Sequence, residues 1–457
     1  MALDDQTVRP RPVSVPAPEA PLGMWASYRT ARRNVLELIP KPAFEEPVLQ
    51  GGRGAGWLML MDPEGLQHVL KTREADYPKS AITQRILRPR VGTNLIVSEG
   101  HQWHWQRRAM TPMFQQRALK GIAPIMSAAA ETTAARIAAG ARAGPVDVYP
   151  LMTAATCDVI CDAALSGREA LDREAIVRGV DAFIAKVARI SLLDLLGVPQ
   201  WVPRPGQMLN RGAVRIDQMM DGIIDQRLAR GPSDTPDMLD LLIGASDPET
   251  EQSMARPELR NNLLAFIIAG HETTALALTW ALYLLALDQG VQTRARDEAQ
   301  AALGDRAAGA EDLARLGLAR RIIDESLRLY PPAGFLTRTA RVDDTVSGRS
   351  VKAGATLILP VYALHRHRLL WDDPDGFDPD RFLPEAARAR SRYAYLPFGG
   401  GPRICIGFAF AIMEAQIILA TLLARYRFRL PEGFTPEPKM WFTLRPGTGM
   451  PLIAERL

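Results

Sequence analysis

One long apolar segment, from about Pro257 to Leu287, sets the scale of the fold. Its apolar periodicity is helical, Pro257 suits the first turn of a helix, and Gly290 follows shortly after the end. At 1.5 Å per residue such a helix is roughly 45 Å long. That length is enough to cross a whole domain, so we expect this helix to run through the protein core.

Helical patterns dominate the rest of the chain. They cover about 62–72, 103–114, 118–139, 148–165, 173–196, 206–230 and 407–426. Short strands are predicted at 56–61 and within 334–359, where Thr, Val and Leu alternate with glycine-bounded turns. The sequence therefore predicts a mainly α fold with a small β component, preceded by an extended proline-rich lead-in over residues 1–22.

Composition and charge narrow the class of protein. With 47% hydrophobic and 23% charged residues, the 457-residue chain has the composition of a globular protein. The net charge is only +4, and its 48 Arg and 7 Lys are spread along the chain, which argues against nucleic-acid binding. The Arg bias suggests a bacterial coding sequence. The N-terminus lacks the pattern of a signal peptide or membrane anchor.

The three cysteines, Cys157, Cys161 and Cys405, cannot all pair within the chain. So few cysteines could not stabilise a protein of this size through disulfides, which favours a location in the reducing cytoplasm. Cys157 and Cys161 lie four residues apart on a predicted helix without other metal ligands nearby. We interpret these two as core residues.

The strongest local signal is the decapeptide Phe398-Gly-Gly-Gly-Pro-Arg-Ile-Cys-Ile-Gly407. Its glycine turn delivers Cys405 to the start of a helix, where the amides of residues 406–408 are unpaired donors beside the positive end of the helix dipole. Such donors stabilise a thiolate. Most unpaired cysteines are buried core residues, but a core cysteine needs neither three consecutive glycines nor an adjacent Arg403, which can reach a carboxylate on the edge of a flat ligand.

A small-residue face occurs within the long helix. Helical periodicity places Ala269, Gly270, Thr273 and Ala277 on one side, where a planar cofactor could lie. The Thr273 hydroxyl is expected to bond back to the carbonyl of Ala269, and Gly270 loosens the same turn. Glu272 beside Thr273 adds an acid to the alcohol.

The alternative for residues 263–287 is a transmembrane span, because the segment is long and mostly apolar. His271 and Glu272 lie at its middle, and both are costly to place in lipid. A helix buried within the protein is therefore favoured.

Two other pairs are ambiguous alone. Glu325 and Arg328 face one another at i and i+3, a spacing that usually marks a weak surface pair, but Arg381 in the segment 377–382 could join them in a buried network. Trp103 and Arg107 share a helix face and offer only donors, as an anion site would require. A solvated helix with one buried Trp is the alternative for that pair.

The cysteine decapeptide resembles, at every defining position, the haem-binding loop of the cytochrome P450 family. The motifs around Glu272, Glu325, Arg381 and Trp103 occur in the family's order. This resemblance implies a single triangular-prism domain over residues 23–457, with haem b between the long central helix and the helix of the cysteine loop. It also implies that the Cys405 thiolate ligates the iron and favours cleavage of the O–O bond of bound dioxygen.

The resemblance assigns further roles residue by residue. Glu272 and Thr273 would relay protons, and Glu325, Arg328 and Arg381 would form a structural network, with Asp380 where many members carry Glu. Residues implied in haem binding are Cys405, Phe398, Ala269, Gly270, Trp103, Arg107, Arg338 and Arg403, with His101 as a weaker candidate.

The implied activity is hydroxylation or epoxidation of an apolar small molecule by a monomeric monooxygenase. The chain ends at Leu457 without a flavin or iron–sulfur domain, so we expect a ferredoxin and its reductase to supply electrons. Basic residues near the cysteine side, Arg108, Arg117 and Lys120, are predicted to dock an acidic partner. A peroxide-driven peroxygenase and a non-catalytic haem protein remain alternatives; the former typically lacks the acid–alcohol pair.

Family placement puts the substrate-pocket walls near 82–97, 266–274, 333–337 and 441–444. The identity of the substrate is left open between fatty acids, terpenes, steroids and aromatic compounds. Arg85, Arg88 and Arg90 are candidates to anchor a carboxylate, although arginines in such a position more often face water.

Overall fold

A computed structural model describes residues 9–165, 179, 211–233 and 236–457. The predicted helix over 173–196, apart from residue 179, and the start of that over 206–230 lie outside the described residues. The α-helices are α1 (Met24–Arg33), α2 (Pro63–Gln67), α3 (Ala81–Val91), α4 (Gly100–Met110), α5 (Gln116–Gly140), α6 (Val148–Leu165), α7 (Arg211–Arg230), α8 (Met238–Ile243), α9 (Arg256–Leu287), α10 (Gln289–Leu303), α11 (Gly317–Leu329), α12 (Val361–Leu364), α13 (Pro384–Ala389) and α14 (Phe408–Arg425).

The strands are short, as the sequence predicts. They are β1 (Val48–Gly51), β2 (Trp57–Leu60), β3 (Val146–Asp147), β4 (Leu336–Thr339), β5 (Asp344–Val346), β6 (Arg349–Val351), β7 (Thr356–Leu359), β8 (Tyr426–Arg429), β9 (Pro438–Met440), β10 (Leu444–Pro446) and β11 (Pro451–Arg456). The largest sheet has the order β1-β2-β7-β4, in which only the β2–β7 pair is parallel. The mainly α fold with a small β component is confirmed.

The central helix α9 begins one residue before the predicted start and ends where predicted. The Glu258 carboxylate accepts a hydrogen bond from the amide of Ala255 at 3.0 Å, which satisfies a donor at the helix start. Asp288 ends α9 and caps α10 through the amide of Val291 at 2.9 Å, so Gly290 lies inside the next helix. From Leu259 onward α9 is buried almost continuously, because other helices surround it.

Helices α6 and α14 pack against α9. All three are long and apolar enough to cross a membrane, but 61%, 83% and 78% of the most apolar windows of α6, α9 and α14 are buried inside the protein. Their apolar side chains therefore form the core, as favoured for α9 from the sequence. Cys157 and Cys161 on α6 are buried in this core, also as predicted.

The proline-rich lead-in is tied to the core. The Val13 amide donates to the Tyr283 hydroxyl at 3.2 Å, and the Val13 carbonyl accepts from the Tyr330 hydroxyl at 2.6 Å. The Val15 amide donates to the Tyr362 hydroxyl at 3.0 Å. These backbone contacts hold residues around 13–15 in an extended conformation against the helices.

Candidate functional site

The cysteine loop is built by backbone geometry. The amide of Cys405 donates to the carbonyl of Phe398 at 2.9 Å and closes the loop just before α14 begins. Gly401 has a positive φ of 68°, and a Cβ there would lie 1.8 Å from the carbonyl oxygen of Leu70. Only glycine fits at this position, so the glycine run serves to bring the loop close to the preceding turn.

The Cys405 thiol lies at the wall of an internal space. Burial raises the pKa of the thiol, whereas the Gly407 amide, which donates to the sulfur, and the nearby Arg107 guanidinium lower this pKa. The residue is nevertheless accessible. A group that is both deeply placed and accessible faces an opening within the protein. The predicted donation from a backbone amide to the Cys405 sulfur is observed for Gly407.

Helix α9 presents an open face in its middle. Ala269 is exposed and Thr273 partly exposed, although the residues around them are buried. The Thr273 hydroxyl donates to the Ala269 carbonyl at 2.8 Å, as predicted. Gly270 instead faces α6, because a Cβ there would lie 3.2 Å from the side chain of Ile160. Gly270 thus permits close packing of α9 on α6, and Ala269 and Thr273 form the open face.

Phe114 joins the cysteine loop to the central helix. Its ring packs edge-on against Phe266 of α9 at a centroid distance of 5.5 Å. A Cβ on Gly407 would lie 3.7 Å from the same Phe114 ring. The start of α14 and the middle of α9 therefore meet at one aromatic side chain.

A cluster of cations lies on the flank of the loop. Arg403 forms ion pairs with Glu74 and Glu99. Burial, followed by the charge of Arg403, lowers the pKa of Arg338 to about 10 and that of Lys79 to about 7. Three cations thus face two carboxylates, so positive charge is in excess within this cluster. Lys79 was missed from the sequence, where a lysine after a proline carries no signal.

The cluster has an orphaned donor. The Nε of Arg338 is buried and has no hydrogen-bond partner among the described residues. Trp103 is buried, and the Arg403 guanidinium stacks over its ring at 4.4 Å, so the structure brings these two predicted residues together. His101 is exposed on the opposite side of α4 from the buried Trp103 and receives no support from the geometry.

These features fit a haem. Cys405 supplies one metal ligand, and the described residues contain no group of three His, Cys, Asp or Glu that could hold a metal without a cofactor. The open face of α9 suits a flat ring, and the orphaned Arg338 donor and surplus positive charge suit carboxylates on its edge. Residues fit to hold the group are Cys405, Arg107, Arg338, Arg403, Trp103 and Lys79.

The predicted acid, Glu272, is buried among donors from other elements. Its carboxylate accepts hydrogen bonds from the Tyr149 hydroxyl at 3.1 Å and the Thr443 hydroxyl at 2.9 Å, and it forms an ion pair with Arg445. The sequence pattern singled out Glu272 but did not reveal these partners. Tyr149 and Arg445 are far from Glu272 in the chain, so only the fold brings them together.

The predicted buried network is present. Arg328 binds Glu325 in a bidentate pair with distances of 2.6 and 2.7 Å, and both side chains are fully buried. Arg381 joins Glu325 at 3.4 Å and donates to the carbonyl of Asp373 at 2.6 Å. Asp380 pairs instead with two surface-side arginines, Arg294 and Arg321.

The remaining predicted cations are those expected to dock a partner protein and those expected to anchor a substrate carboxylate. Arg108 is held by Asp247 in a bidentate pair at 2.7 and 2.8 Å and its side chain is 31% exposed, whereas Arg117 and Lys120 are exposed without such a pair in the described residues. The segment with Arg85, Arg88 and Arg90 forms helix α3. Arg88 lines a cavity of about 360 Å³ together with Lys79 and Glu99.

Comparison with known proteins agrees with this geometry. The family profile described as Cytochrome P450 matches residues 52–451. Cyclooctatin synthase from Streptomyces melanosporofaciens is 33% identical over 387 residues, which cover 84% of this chain and 83% of that protein. Putative cytochrome P450 132 from Mycobacterium tuberculosis is 32% identical and covers 88% of each chain.

A solved structure gives the same result for the fold. The haem domain of cytochrome P450DA superposes with a TM-score of 0.77 at 28% sequence identity, and the match covers 90% of each chain. The similarity therefore extends over the cysteine loop, the central helix and the sheet that carries Arg338.

Proposed function

Since this chain belongs to the cytochrome P450 family and is a haem-dependent monooxygenase, we propose that it inserts one oxygen atom of O₂ into an apolar small organic molecule with electrons from separate proteins. The observation that carries this proposal is the accessible Cys405 thiol, which lies in a buried setting near the open face of α9. When bound there, the haem supplies dioxygen activation, and its thiolate ligand favours O–O cleavage.

The protein's own residues prepare the thiolate. The Gly407 amide and the Arg107 guanidinium both lower the pKa of the Cys405 thiol against the effect of burial. Each therefore stabilises the charged sulfur that a metal needs. Arg338, Arg403 and Trp103 offer the donors that would hold carboxylates on the edge of the haem.

Proton handling falls to α9. The Thr273 hydroxyl lies on the open face and is oriented by its hydrogen bond to Ala269. To pass its proton toward dioxygen, this hydroxyl must give up its hydrogen bond to the Ala269 carbonyl, and it then takes up a replacement proton. Glu272, one residue earlier, is the acid that replenishes this proton, and its buried position keeps bulk water from bypassing it.

We propose an apolar substrate because the walls of the site are apolar. Phe114 packs on Phe266 between α9 and the cysteine loop, which gives this part of the site an apolar surface. Among the relatives, cyclooctatin synthase is named for a product of its own reaction. This similarity supports a small organic substrate for the present chain.

The electron donors we propose are a ferredoxin and its reductase, with Arg117 and Lys120 as the docking cations. Both side chains are exposed at the start of α5, which follows Phe114 at the site. We also propose a bacterial, cytoplasmic and monomeric enzyme. The burial of α6, α9 and α14 inside the protein supports the cytoplasmic setting, because these apolar helices form the core.

The proposal is tested with purified holoprotein. Fatty acids, terpenes, steroids and aromatic compounds are titrated while the haem spectrum is recorded, and compounds that shift it are assayed with reductant plus O₂ and with peroxide alone. We expect turnover with reductant and O₂. Turnover with peroxide alone would indicate a peroxygenase, and the absence of spectral shifts and turnover across all classes would contradict a monooxygenase of apolar molecules.

A further inference from the structure

A cavity of about 360 Å³ lies beside helix α3. Its described walls come from α3 and the residues just before it, from the segment that joins α3 to α4, from the first turn of α4, and from Arg341 after β4. The volume falls within the range of small-molecule sites, about 300–1,000 Å³. The cations that line it are Lys79, Arg88 and Arg341, and the acid among its described lining residues is Glu99. Three positive charges against one negative charge favour an anionic occupant.

The Glu99 carboxylate already has partners. One of its oxygens forms an ion pair with Arg403. The other accepts hydrogen bonds from the Lys79 amide at 3.1 Å and from the Gln84 side chain at 3.4 Å. Arg403 does not belong to the described lining of the cavity. The negative charge of the lining is therefore compensated by a cation outside the cavity.

The cavity is distinct from the site that fits the haem edge. Its described lining contains neither Arg338 nor Arg403 nor Trp103. The two sites share Lys79 and Glu99, and Glu99 contacts both Arg403 in one site and Gln84 in the other. An occupant of the cavity would thus lie beside the haem edge without taking its place.

Two arginines of the lining retain free donors. Arg88 is exposed on α3 and forms no ion pair with any residue in the described part of the chain. Arg341 is also exposed, and its side chain donates to the uncharged carbonyl of Ala75 at 3.3 Å. Guanidinium groups bind carboxylates through charge-assisted hydrogen bonds. Arg88 and Arg341 can therefore offer such bonds to an anion in the cavity.

Lys79 adds a cation whose position is fixed by backbone oxygens. Its Nζ donates to the carbonyls of Leu95 at 3.3 Å and Ser98 at 3.5 Å, and also to that of Ile96. These partners are dipoles without net charge. The lining also includes the apolar side chains of Pro78 and Val97. Cations together with apolar surface suit an organic anion better than an inorganic one.

We propose that this cavity binds the carboxylate of a small organic acid. Arg88 and Arg341 donate to the carboxylate, Lys79 contributes positive charge, and Pro78 and Val97 contact the apolar part of the acid. The site goes beyond the proposed monooxygenase function, because it is a second small-molecule site at which no reaction takes place. Since the acid bridges α3 and the residue after β4, its binding also stabilises the folded protein.

The test measures binding of hexanoate to holoprotein by calorimetry. Hexanamide is the matched uncharged probe, and inorganic phosphate is the probe for an inorganic anion. The variants are Arg88→Gln, Arg341→Gln and the double change. Arg349→Gln is the matched control, since Arg349 is an exposed arginine on β6 outside the described lining. Haem content of every variant is compared with that of the unaltered protein.

We expect hexanoate to bind the unaltered protein about tenfold or more tighter than hexanamide, because the amide has no charge to pair with the arginines. Each cavity variant should weaken hexanoate binding about fivefold or more, and the double change more still. Arg349→Gln should leave the affinity within about twofold. Higher ionic strength should weaken the binding of hexanoate but not that of hexanamide. A crystal structure of the complex should show the carboxylate in contact with Arg88 and Arg341.

Several results would overturn the proposal. These are equal affinities for hexanoate and hexanamide, equal affinities of the double variant and Arg349→Gln for hexanoate, and tighter binding of phosphate than of hexanoate. Hexanoate bound next to the iron would shift the haem spectrum equally in all variants, and this pattern would contradict the cavity as its site. The outcome is separate from that of the monooxygenase proposal, because calorimetric binding requires no turnover.

Discussion

Replacement of Arg328 by lysine tests the buried network most sharply. Arg328 makes five hydrogen bonds: two to Glu325 at 2.6 and 2.7 Å, and one each to the carbonyls of His365, Pro374 and Gly376 at 2.8, 2.7 and 2.9 Å. A lysine ammonium has only three donors and no planar fork. At least two buried acceptors would then lose their partner.

Each buried unsatisfied acceptor costs about 1–3 kcal/mol, and disruption of a buried ion pair typically costs about 3–5 kcal/mol. We therefore expect Arg328→Lys to lower the free energy of unfolding by about 3–5 kcal/mol, measured by denaturant titration of holoprotein. Because three of the carbonyls lie in 365–376, before the cysteine loop, retention of haem should fall as well.

Arg320→Lys is the matched control. Arg320 lies on the same helix, α11, and pairs with Asp324 at 2.8 Å, but its side chain is 45% exposed. Arg320→Lys should lower the free energy of unfolding by no more than about 0.5 kcal/mol. Equal effects of the two substitutions, or a loss below about 1 kcal/mol for Arg328→Lys, would refute the argument that burial makes this arginine irreplaceable.

Three further predictions concern the site and its surroundings. Thr273→Ala should divert reducing equivalents to peroxide, and an unchanged product yield per reductant would contradict this. Arg117→Ala combined with Lys120→Ala should slow reduction by ferredoxin and weaken its dependence on ionic strength in stopped-flow traces; equal salt dependence would exclude these docking cations. Burial raises the pKa of Glu414 well above its usual value of 4.5. Between these two pKa values the folded protein retains a proton that the unfolded chain releases, so stability falls as pH rises, by up to about 1.4 kcal/mol per pH unit. In unfolding titrations at several pH values, Glu414→Gln should reduce the decrease of the free energy of unfolding with pH. The same decrease in the variant would contradict the assignment to Glu414.

Periodicity and local motifs were sufficient to predict much of the fold. The central helix was predicted to within one residue because its apolar pattern is long and Pro257 marks its first turn. The cysteine loop could also be read directly, since its glycines and Cys405 are consecutive. Gly290 misled the assignment of a helix end because Asp288, a stronger cap, starts the next helix two residues earlier.

The missing parts of the site depend on contacts between distant segments. Lys79 joins Arg338 and Arg403, and Arg445 joins Glu272, only because the sheet and hairpin fold back over the helices. The sequence could not show that Arg108 is paired, since its partner Asp247 lies 139 residues away in the chain. Gly270 fell on the predicted face of α9, but periodicity alone could not show that Ile160 fills the space beside it.

The central claim is that Cys405 binds the haem iron as a thiolate. The direct measurement is the optical spectrum of reduced holoprotein under carbon monoxide, compared between the unaltered protein and Cys405→Ser. The account predicts the red-shifted Soret band of a thiolate-ligated complex in the unaltered protein and its loss, together with turnover, in the serine variant. The same band and turnover in both proteins would contradict it.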